Sequence, residues 1–447
     1  MKKKFYLMAA FATALAFTAC TNDELMPVEE NGNGLVNIEA EGVIEIAISN
    51  TGTGTTRAAR PVASSAADNN VNRVQLVFLD ADGAEVEGVK FSSVGTNADY
   101  IVSADGLISY TNAEVEEGTP GTTDRRTKVA SIRVDGLTEE TDYTIVAYGW
   151  NGDKFPYGEP ALVAGEKYYQ TGTHTLEGFD LEEVFAASVD ATTTNKANTV
   201  DAEGKPVSYI KFDKKVEIKL TRQVAGMLAY FKNVPVYING DTEKEVYKVT
   251  VEANASTTGF YFPASLYSDD ELNGSNQTDG AVTLFEFVIP ETAEKVQLPE
   301  DDAWVYEFDN DGTIYAKGYG GKVPENAKFA PNTLFGGRYI LPYASHLASS
   351  TLTIKIWASV DGLDDGAIST TKVVKTNAAP SDGNFYQFDI RCNNFYSIGK
   401  KLAAGTTDGP DDDDPDYDDD PIDLHASDEI TVLVNDAWSV IHDMEVE

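Results

Sequence analysis

Short segments in which apolar and polar residues alternate recur along this chain and limit what it can fold into. Val216, Ile218 and Leu220 alternate with Glu217 and Lys219. A period of two places successive side chains on opposite faces, as in a β-strand with one buried face. Further strands are predicted at 74–79, 131–134, 143–148, 221–231, 247–251, 284–289, 304–308, 313–317, 352–357 and 385–390. Many short strands separated by Gly and Asn turns predict an all-β protein made of β-sandwiches.

The acidic segment Asp309–Gly312 is predicted as a hairpin turn between two of these strands. It lacks the further acidic ligands and terminal glutamate of a calcium-binding EF-hand loop. The four histidines have no close spacing, and no Gly-x-Ser-x-Gly, zinc or phosphate-loop motif occurs. We therefore predict no metal, no cofactor and no enzymatic activity.

The first residues have the pattern of an export signal. Three lysines at positions 2–4 precede an apolar run at 5–17, which is too short to span a bilayer of about 30 Å as a helix. Small residues then lead to Cys20, at the place where a bacterial lipobox has its lipidated cysteine. We predict a lipoprotein signal peptide at 1–19. The alternative is an ordinary secretory signal followed by an incidental cysteine.

The segment 35–49 is predicted to be β-strand. Ile44, Ile46 and Ile48 alternate with other residues at its end. The following Gly- and Thr-rich stretch leads to Arg57, where an Arg-specific protease could cut exposed backbone. Arg60 is the less suitable alternative because Pro61 follows it. An uncut linker with incidental arginines is the other interpretation.

The last residues have the pattern of a linker followed by a terminal β-strand. Residues 408–429 are a predicted extended, solvated linker, with ten aspartates and no base between 408 and 423. Residues 430–447 then follow a strand pattern. Its apolar positions are Ile430, Val432, Val434, Trp438 and Val440. A terminal strand on a tether can be donated to another molecule.

Charge, cysteine content and length limit the binding partners, the disulfides and the number of domains that the chain can have. The 447-residue chain has 34 Lys and Arg against 73 Asp and Glu, which disfavours nucleic acid and anionic membrane surfaces. With Cys20 acylated, Cys392 alone remains and no intrachain disulfide is predicted. We predict two domains, at 58–207 and 208–407, because the polar stretch 190–207 lacks apolar periodicity.

Several short blocks resemble the fimbrillins of Bacteroidales, the FimA-type pilins of type V pili. They are the lipobox, the prosegment end Thr55-Thr56-Arg57-Ala58-Ala59, the block Leu220-Thr221-Arg222-Gln223-Val224-Ala225, the block Cys392–Lys401, Pro421-Ile422-Asp423-Leu424 after the acidic spacer, and the final strand with Trp438. The resemblance implies two tandem transthyretin-like β-sandwich domains. It also implies export as an outer-membrane lipoprotein, with residues 20–57 as a prosegment whose strand is removed when the chain is trimmed after an arginine.

On this resemblance the chain is expected to be a structural pilin, most simply a stalk subunit, that polymerises by donor-strand exchange and supports adhesion. The implied partners are other copies or related pilins joined head to tail, an Arg-specific protease, the outer membrane through the lipid, and an adhesion receptor on a host or bacterial surface. The alternative is a monomeric surface lipoprotein that binds glycans. That alternative needs a solvent-facing Trp150 or Trp304 and a C-terminal strand paired within its own chain.

Overall fold

The computed structural model describes residues 43–49, 71–94, 100–110, 127–173, 182–200, 205–266, 274–299, 302–319, 329–343, 352–360, 363–376, 389–399, 420–425 and 429–435. The regular elements within these ranges are β-strands and short 3-10 turns at Ile238–Gly240, Ala264–Leu266 and Asp309–Asp311. The described residues from Val43 onward belong to one compact unit. The predicted all-β class is confirmed.

Thirteen strands make up the first part of the chain. They are β1 (Ile44–Ser49), β2 (Arg73–Leu79), β3 (Lys90–Ser93), β4 (Tyr100–Val102), β5 (Leu107–Tyr110), β6 (Thr127–Asp135), β7 (Asp142–Trp150), β8 (Ala161–Leu162), β9 (Tyr169–Gln170), β10 (Val184–Val200), β11 (Pro206–Phe212), β12 (Val216–Lys219) and β13 (Thr221–Arg222). Apolar side chains alternate inward along many of them; in β2, for example, Val74, Leu76 and Phe78 are all buried.

Fourteen strands follow. They are β14 (Ala225–Lys232), β15 (Lys244–Ser256), β16 (Gly259–Phe262), β17 (Gly274–Ser275), β18 (Thr278–Val288), β19 (Glu294–Gln297), β20 (Trp304–Glu307), β21 (Thr313–Tyr315), β22 (Thr333–Ile340), β23 (Leu352–Val360), β24 (Leu363–Thr376), β25 (Phe395–Ile398), β26 (Ile422–Asp423) and β27 (Glu429–Asn435). Strands β14 and β22 pair near one end of their sheet, and nearly every residue in them is buried.

Two sheets enclose the first hydrophobic cluster. One has the order β12-β1-β6-β3, and the other has the order β11-β10-β7-β2-β5-β4 with β13 beside β10. The cluster between them includes Ile44, Ile46, Phe78, Ile132 and Ile218. Strand β1, near the start of the chain, is therefore part of a core that most other strands of this region share.

The predicted domain boundary at residue 207 falls inside β11. The polar stretch in which it was placed is strand for most of its length, because β10 continues to Val200 and pairs with β11. Ile210 and Phe212 belong to the first cluster, and so does Ile218 of β12. Residues up to Leu220 thus pack with the first cluster, and the division into two domains remains a prediction.

A second hydrophobic cluster contains many residues of the larger sheet. The strand order of that sheet is β18-β15-β23-β24-β27-β25-β14-β22-β21, with β26 beside β14. Phe231, Phe285, Phe287 and Phe335 are fully buried there. The same cluster also contains residues from the first part of the chain, including Tyr157. Strands β1 to β13 and strands β14 to β27 are therefore joined by packed side chains as well as by the connecting backbone.

The hairpin predicted at Asp309–Gly312 is wrong. This segment is a 3-10 turn, with Asn310 at φ 57°, but the strands on either side of it do not pair with each other. Strand β20 pairs with β19, whereas β21 lies parallel to β22. Turn residues reveal where the chain bends but do not determine which strands become neighbours.

Candidate functional site

Strand β1 lies between two partners in the smaller sheet of the first part. It runs parallel to β12, with Ile44 opposite Val216 and Ile46 opposite Ile218. It runs antiparallel to β6, with Ile46 opposite Ala130. Among the described strands β12 pairs with β1 alone, so the attachment of β12 to this sheet depends on β1.

The side chains of β1 enter the first hydrophobic cluster. Ile44 and Ile46 are 0% exposed, and Val43 just before the strand is 5% exposed. Burial of each isoleucine contributes about 1.5–3 kcal/mol. Ile48 pairs with Lys128 in the backbone register. The predicted removable strand is therefore an integral part of the sheet and the core.

The predicted processing positions lie outside the described residues. Arg57 and Arg60 fall between β1 and β2, in the range 50–70, and Cys20 precedes Val43. Cleavage after Arg57 would separate β1 from the rest of the chain, because the arginine follows Ser49 in sequence.

The predicted donor strand pairs with strands of its own chain. Strand β27 lies between β24 and β25: it is parallel to β24, with Ile430 opposite Val374, and antiparallel to β25, with Val434 opposite Tyr396. It therefore joins two groups of strands into one sheet. Val432 also lies in β27, whereas Trp438 and Val440 lie outside the described residues.

The sequence analysis missed an anchor just before this strand. The end of the predicted solvated linker is docked, because Pro421 and Leu424 are buried and β26 lies parallel to β14. The Leu424 amide donates to the Lys232 carbonyl oxygen at 3.1 Å, and the Asn233 side-chain amide donates to Asp423 Oδ2 at 2.6 Å. The two apolar residues beside Asp423 were the signal that could have revealed this anchor.

The block with Cys392 forms the neighbour of β27. Strand β25 lies between β14 and β27, and Cys392 just before it is a buried thiol at 4% exposure. The Tyr396 hydroxyl accepts a hydrogen bond from the Arg391 amide at 2.8 Å and donates to the Asp389 carbonyl oxygen at 3.0 Å. Burial raises the pKa of Tyr396 above its usual value. This block thus supplies the strand β25 that pairs with β27, and the hydrogen bonds of Tyr396 connect β25 to the residues just before it.

The Leu220–Ala225 block connects the two clusters. Leu220 belongs to the first cluster and Val224 to the second. Between them Arg222 Nε donates to Glu183 Oε1 at 2.5 Å, with both side chains buried. Gln223 accepts a hydrogen bond from the Ala264 amide at 2.8 Å. The block passes from one core to the other and is held by a buried ion pair.

The end of β6 is connected to β11 by polar contacts. Asp135 Oδ2 accepts a hydrogen bond from the Ser208 hydroxyl at 2.7 Å, and Lys196 Nζ lies 3.9 Å from Asp135 Oδ1. Burial acts to raise the pKa of Asp135, but the hydrogen bonds from Ser208 and Gly136 and the nearby charges of Lys196 and Lys90 outweigh it. The pKa is held below 3.8.

The two tryptophans relevant to the glycan alternative differ in exposure. Trp150 is buried at 7% exposure and stacks on Tyr148 with ring centroids 5.9 Å apart. Trp304 is 42% exposed and lies opposite Gln297 in the β19–β20 pair. Trp304 is therefore the tryptophan that could offer a platform to a sugar ring.

Two features of other functional classes are absent from the described ranges. These ranges contain no group of three His, Cys, Asp or Glu side chains arranged for a metal ion. They also contain no helix with the length and apolar character that a membrane crossing requires.

No protein-family model matches this sequence, and no curated protein matches it. Solved structures resemble it at low identity. A fimbrial protein from Bacteroides vulgatus has a TM-score of 0.33 at 11% identity, over 89% of this chain and 99% of that one. A fimbrial assembly protein from Parabacteroides distasonis has a TM-score of 0.30 at 10% identity, over 80% and 91%. A candidate cell adhesion protein from Bacteroides eggerthii has a TM-score of 0.34 at 12% identity, over 89% and 96%.

Proposed function

We propose that this chain is a structural subunit of a cell-surface fimbrium that polymerises by strand exchange after its first strand is removed. The observation that carries the proposal is the position of β1. This strand is separated from β2 by the segment with Arg57, yet β12 has no other strand partner among the described residues. Loss of β1 would leave backbone donors and acceptors of β6 and β12 unpaired around an apolar groove, which favours addition of a strand.

The C-terminal strand has the properties required to fill that groove. From Ile430 to Ile441 it would span about 40 Å at roughly 3.3 Å per residue. Its alternating apolar residues would replace Ile44 and Ile46 in the core. Five buried apolar side chains contribute on the order of 10 kcal/mol before ordering costs. A head-to-tail contact of this kind propagates and builds a filament.

Donation requires β27 to exchange its neighbours. In the described state it pairs with β24 and β25 of its own chain. In the filament it would pair with β6 and β12 of the next subunit instead. The anchor at Asp423 and Leu424 gives the strand a fixed starting point on β14.

The proposed assembly sequence begins with export and continues with cleavage and polymerisation. The precursor is held at the outer membrane through a lipid on Cys20, with β1 in place. An Arg-specific protease then cuts after Arg57, or after Arg60, which frees the chain from the lipid and opens the groove. The mature chain enters the fimbrium as a stalk subunit and supports adhesion to a receptor on a host or bacterial surface.

Three purified chains test this proposal: residues 21–447, 58–447 and 58–424. Size exclusion and electron microscopy should show filaments or ladders for residues 58–447 alone, because this chain has the open groove and the donor strand together. Three equally stable monomers would contradict it.

A second candidate function is favoured by two observations. Trp304 is exposed beside Gln297, and β27 is paired within its own chain. Both suit a monomeric outer-membrane lipoprotein that binds glycans. Binding of glycans that is lost in Trp304→Ala but kept in the surface variant Ile101→Ala, with no filament formation by residues 58–447, would favour this second candidate.

A further inference from the structure

The turn between β11 and β12 is rich in lysine in a strongly acidic chain. We call residues 211–219 the lysine turn. Its lysines are Lys211, Lys214, Lys215 and Lys219, and its acidic residues are Asp213 and Glu217. Lys214 and Lys219 are exposed, whereas Lys211 and Lys215 are half-buried. The turn therefore presents net positive charge on a molecule with a formal net charge of −39.

Ion pairs within the turn leave two of these lysines available. Lys215 Nζ lies 2.7 Å from Glu217 Oε1. Among the described residues, neither Lys214 nor Lys219 forms an ion pair within 4.0 Å. A second charged partner can therefore approach them without displacing an existing described contact.

The lysine turn lies along the strand edge that β1 covers. Val216 is opposite Ile44, where β1 begins, and Lys219 is opposite Ala47. The turn thus borders the groove that removal of β1 would open. A strand that enters this groove must bring its flanking residues close to these lysines.

The C-terminal tail has complementary charge. After Lys401 the chain has sixteen Asp and Glu residues and no Lys or Arg. The tail includes the aspartate run and the proposed donor strand, with Asp428 and Glu429 at its beginning. Opposite charges on two approaching surfaces raise the association rate and suppress unsuitable partners, and salt weakens the effect.

We propose that the lysine turn is a docking site for the acid-only C-terminal tail of a second copy of this chain. The inference rests on the proposed function and adds a reason why the donor strand is recognised. Like-charged subunits repel one another at most of their surface. The lysine turn provides a local attraction at the groove, so that the tail approaches the edge at which its strand can pair.

The test follows the polymerisation rate of residues 58–447 by light scattering at about 20 mM and 500 mM NaCl. The variant Lys214→Glu/Lys219→Glu should polymerise about tenfold more slowly than the parent at low salt. The difference should shrink at high salt. Lys154→Glu/Lys317→Glu is the matched control, since it changes charge equally at two exposed lysines outside the turn. The control should keep the parental rate at low salt.

A zero-length carbodiimide cross-link identifies the occupant. In a mixture of isotope-labelled and unlabelled chains, Lys214 should be joined to a carboxylate between residues 408 and 447 of a different copy. Cross-links within one copy alone, or equal rates for the two charge variants, would overturn the inference. These results differ from failure of the proposed function, in which the parent chain itself forms no polymer at either salt concentration.

Discussion

Ile46 of β1 and Ile218 of β12 are partners in parallel register, and both are buried in the first hydrophobic cluster. A strand predicted to be removed thus holds an edge strand from residues 216–219 in place. This relationship explains how one proteolytic cut could change the molecule without altering any side chain that remains. The cut would replace a completed core by a groove of defined length and polarity.

Ile46→Glu should loosen β1 in the uncut chain of residues 21–447. A charged side chain at a position with 0% exposure should lower the free energy of unfolding by about 3–5 kcal/mol. We also expect this variant to polymerise without cleavage. Urea unfolding and size exclusion measure the two effects. Ile46→Val is the control; it should lower the free energy of unfolding by about 0.5–1.5 kcal/mol and should not polymerise. An uncut Ile46→Glu chain that unfolds like the parent would contradict the role of β1.

A disulfide between β25 and β27 should prevent donation. Ser397 and Leu433 are opposite one another in the antiparallel register, so cysteines there are within disulfide reach. Ser397→Cys/Leu433→Cys in residues 58–447 should remain monomeric when oxidised and polymerise after reduction. Each single cysteine variant is the control. Polymerisation of the oxidised protein would mean that β27 stays in its own sheet and that the donated part begins after Asn435.

Much of the fold could be predicted because its signal is local. The alternation in 216–220 and the apolar run in 225–231 correspond to β12 and β14. Strand β10 was missed because Thr192 to Thr199 contain few apolar residues, and pairing with β7 and β11 holds this stretch in place instead. Propensity in strands depends on such neighbours, which sequence order does not reveal.

The site was predicted less completely than the fold for the same reason. The alternation at Ile44, Ile46 and Ile48 indicated a strand, but its parallel pairing with β12 depends on residues far along the chain. The placement of β27 between β24 and β25 likewise joins distant segments. The predicted cleavage and lipidation residues are local chemical signals that no strand pairing tests.

The buried ion pair between Arg222 and Glu183 should show strong coupling. Arg222→Met alone or Glu183→Gln alone should lower the free energy of unfolding by about 3–5 kcal/mol, because each leaves a buried group without its partner. The double variant should cost much less than the sum of the two. A double-mutant cycle by chemical unfolding measures this coupling. Additive single effects would contradict a direct interaction across the junction.

Acid should weaken the connection between β6 and β11 through Asp135. Its folded pKa lies below 3.8, so its contribution is present above that value and is lost as the pH falls through the folded pKa. Asp135→Asn should therefore lower the free energy of unfolding by less than about 1 kcal/mol at pH 7, and this difference should shrink as the pH falls through the lowered pKa of Asp135. Ser208→Ala should reduce the same pH dependence. A constant difference between parent and Asp135→Asn across this range would contradict the assignment.

The most direct test of strand exchange is hydrogen exchange at the amides of β6 and β12. The uncut chain of residues 21–447 should protect them through their pairing with β1. Protection should fall in dilute, monomeric residues 58–447 and in residues 58–424, and it should return when residues 58–447 polymerise. Unchanged protection after trimming, or polymers in which β6 and β12 stay unprotected, would contradict exchange of the first strand for the tail of another subunit.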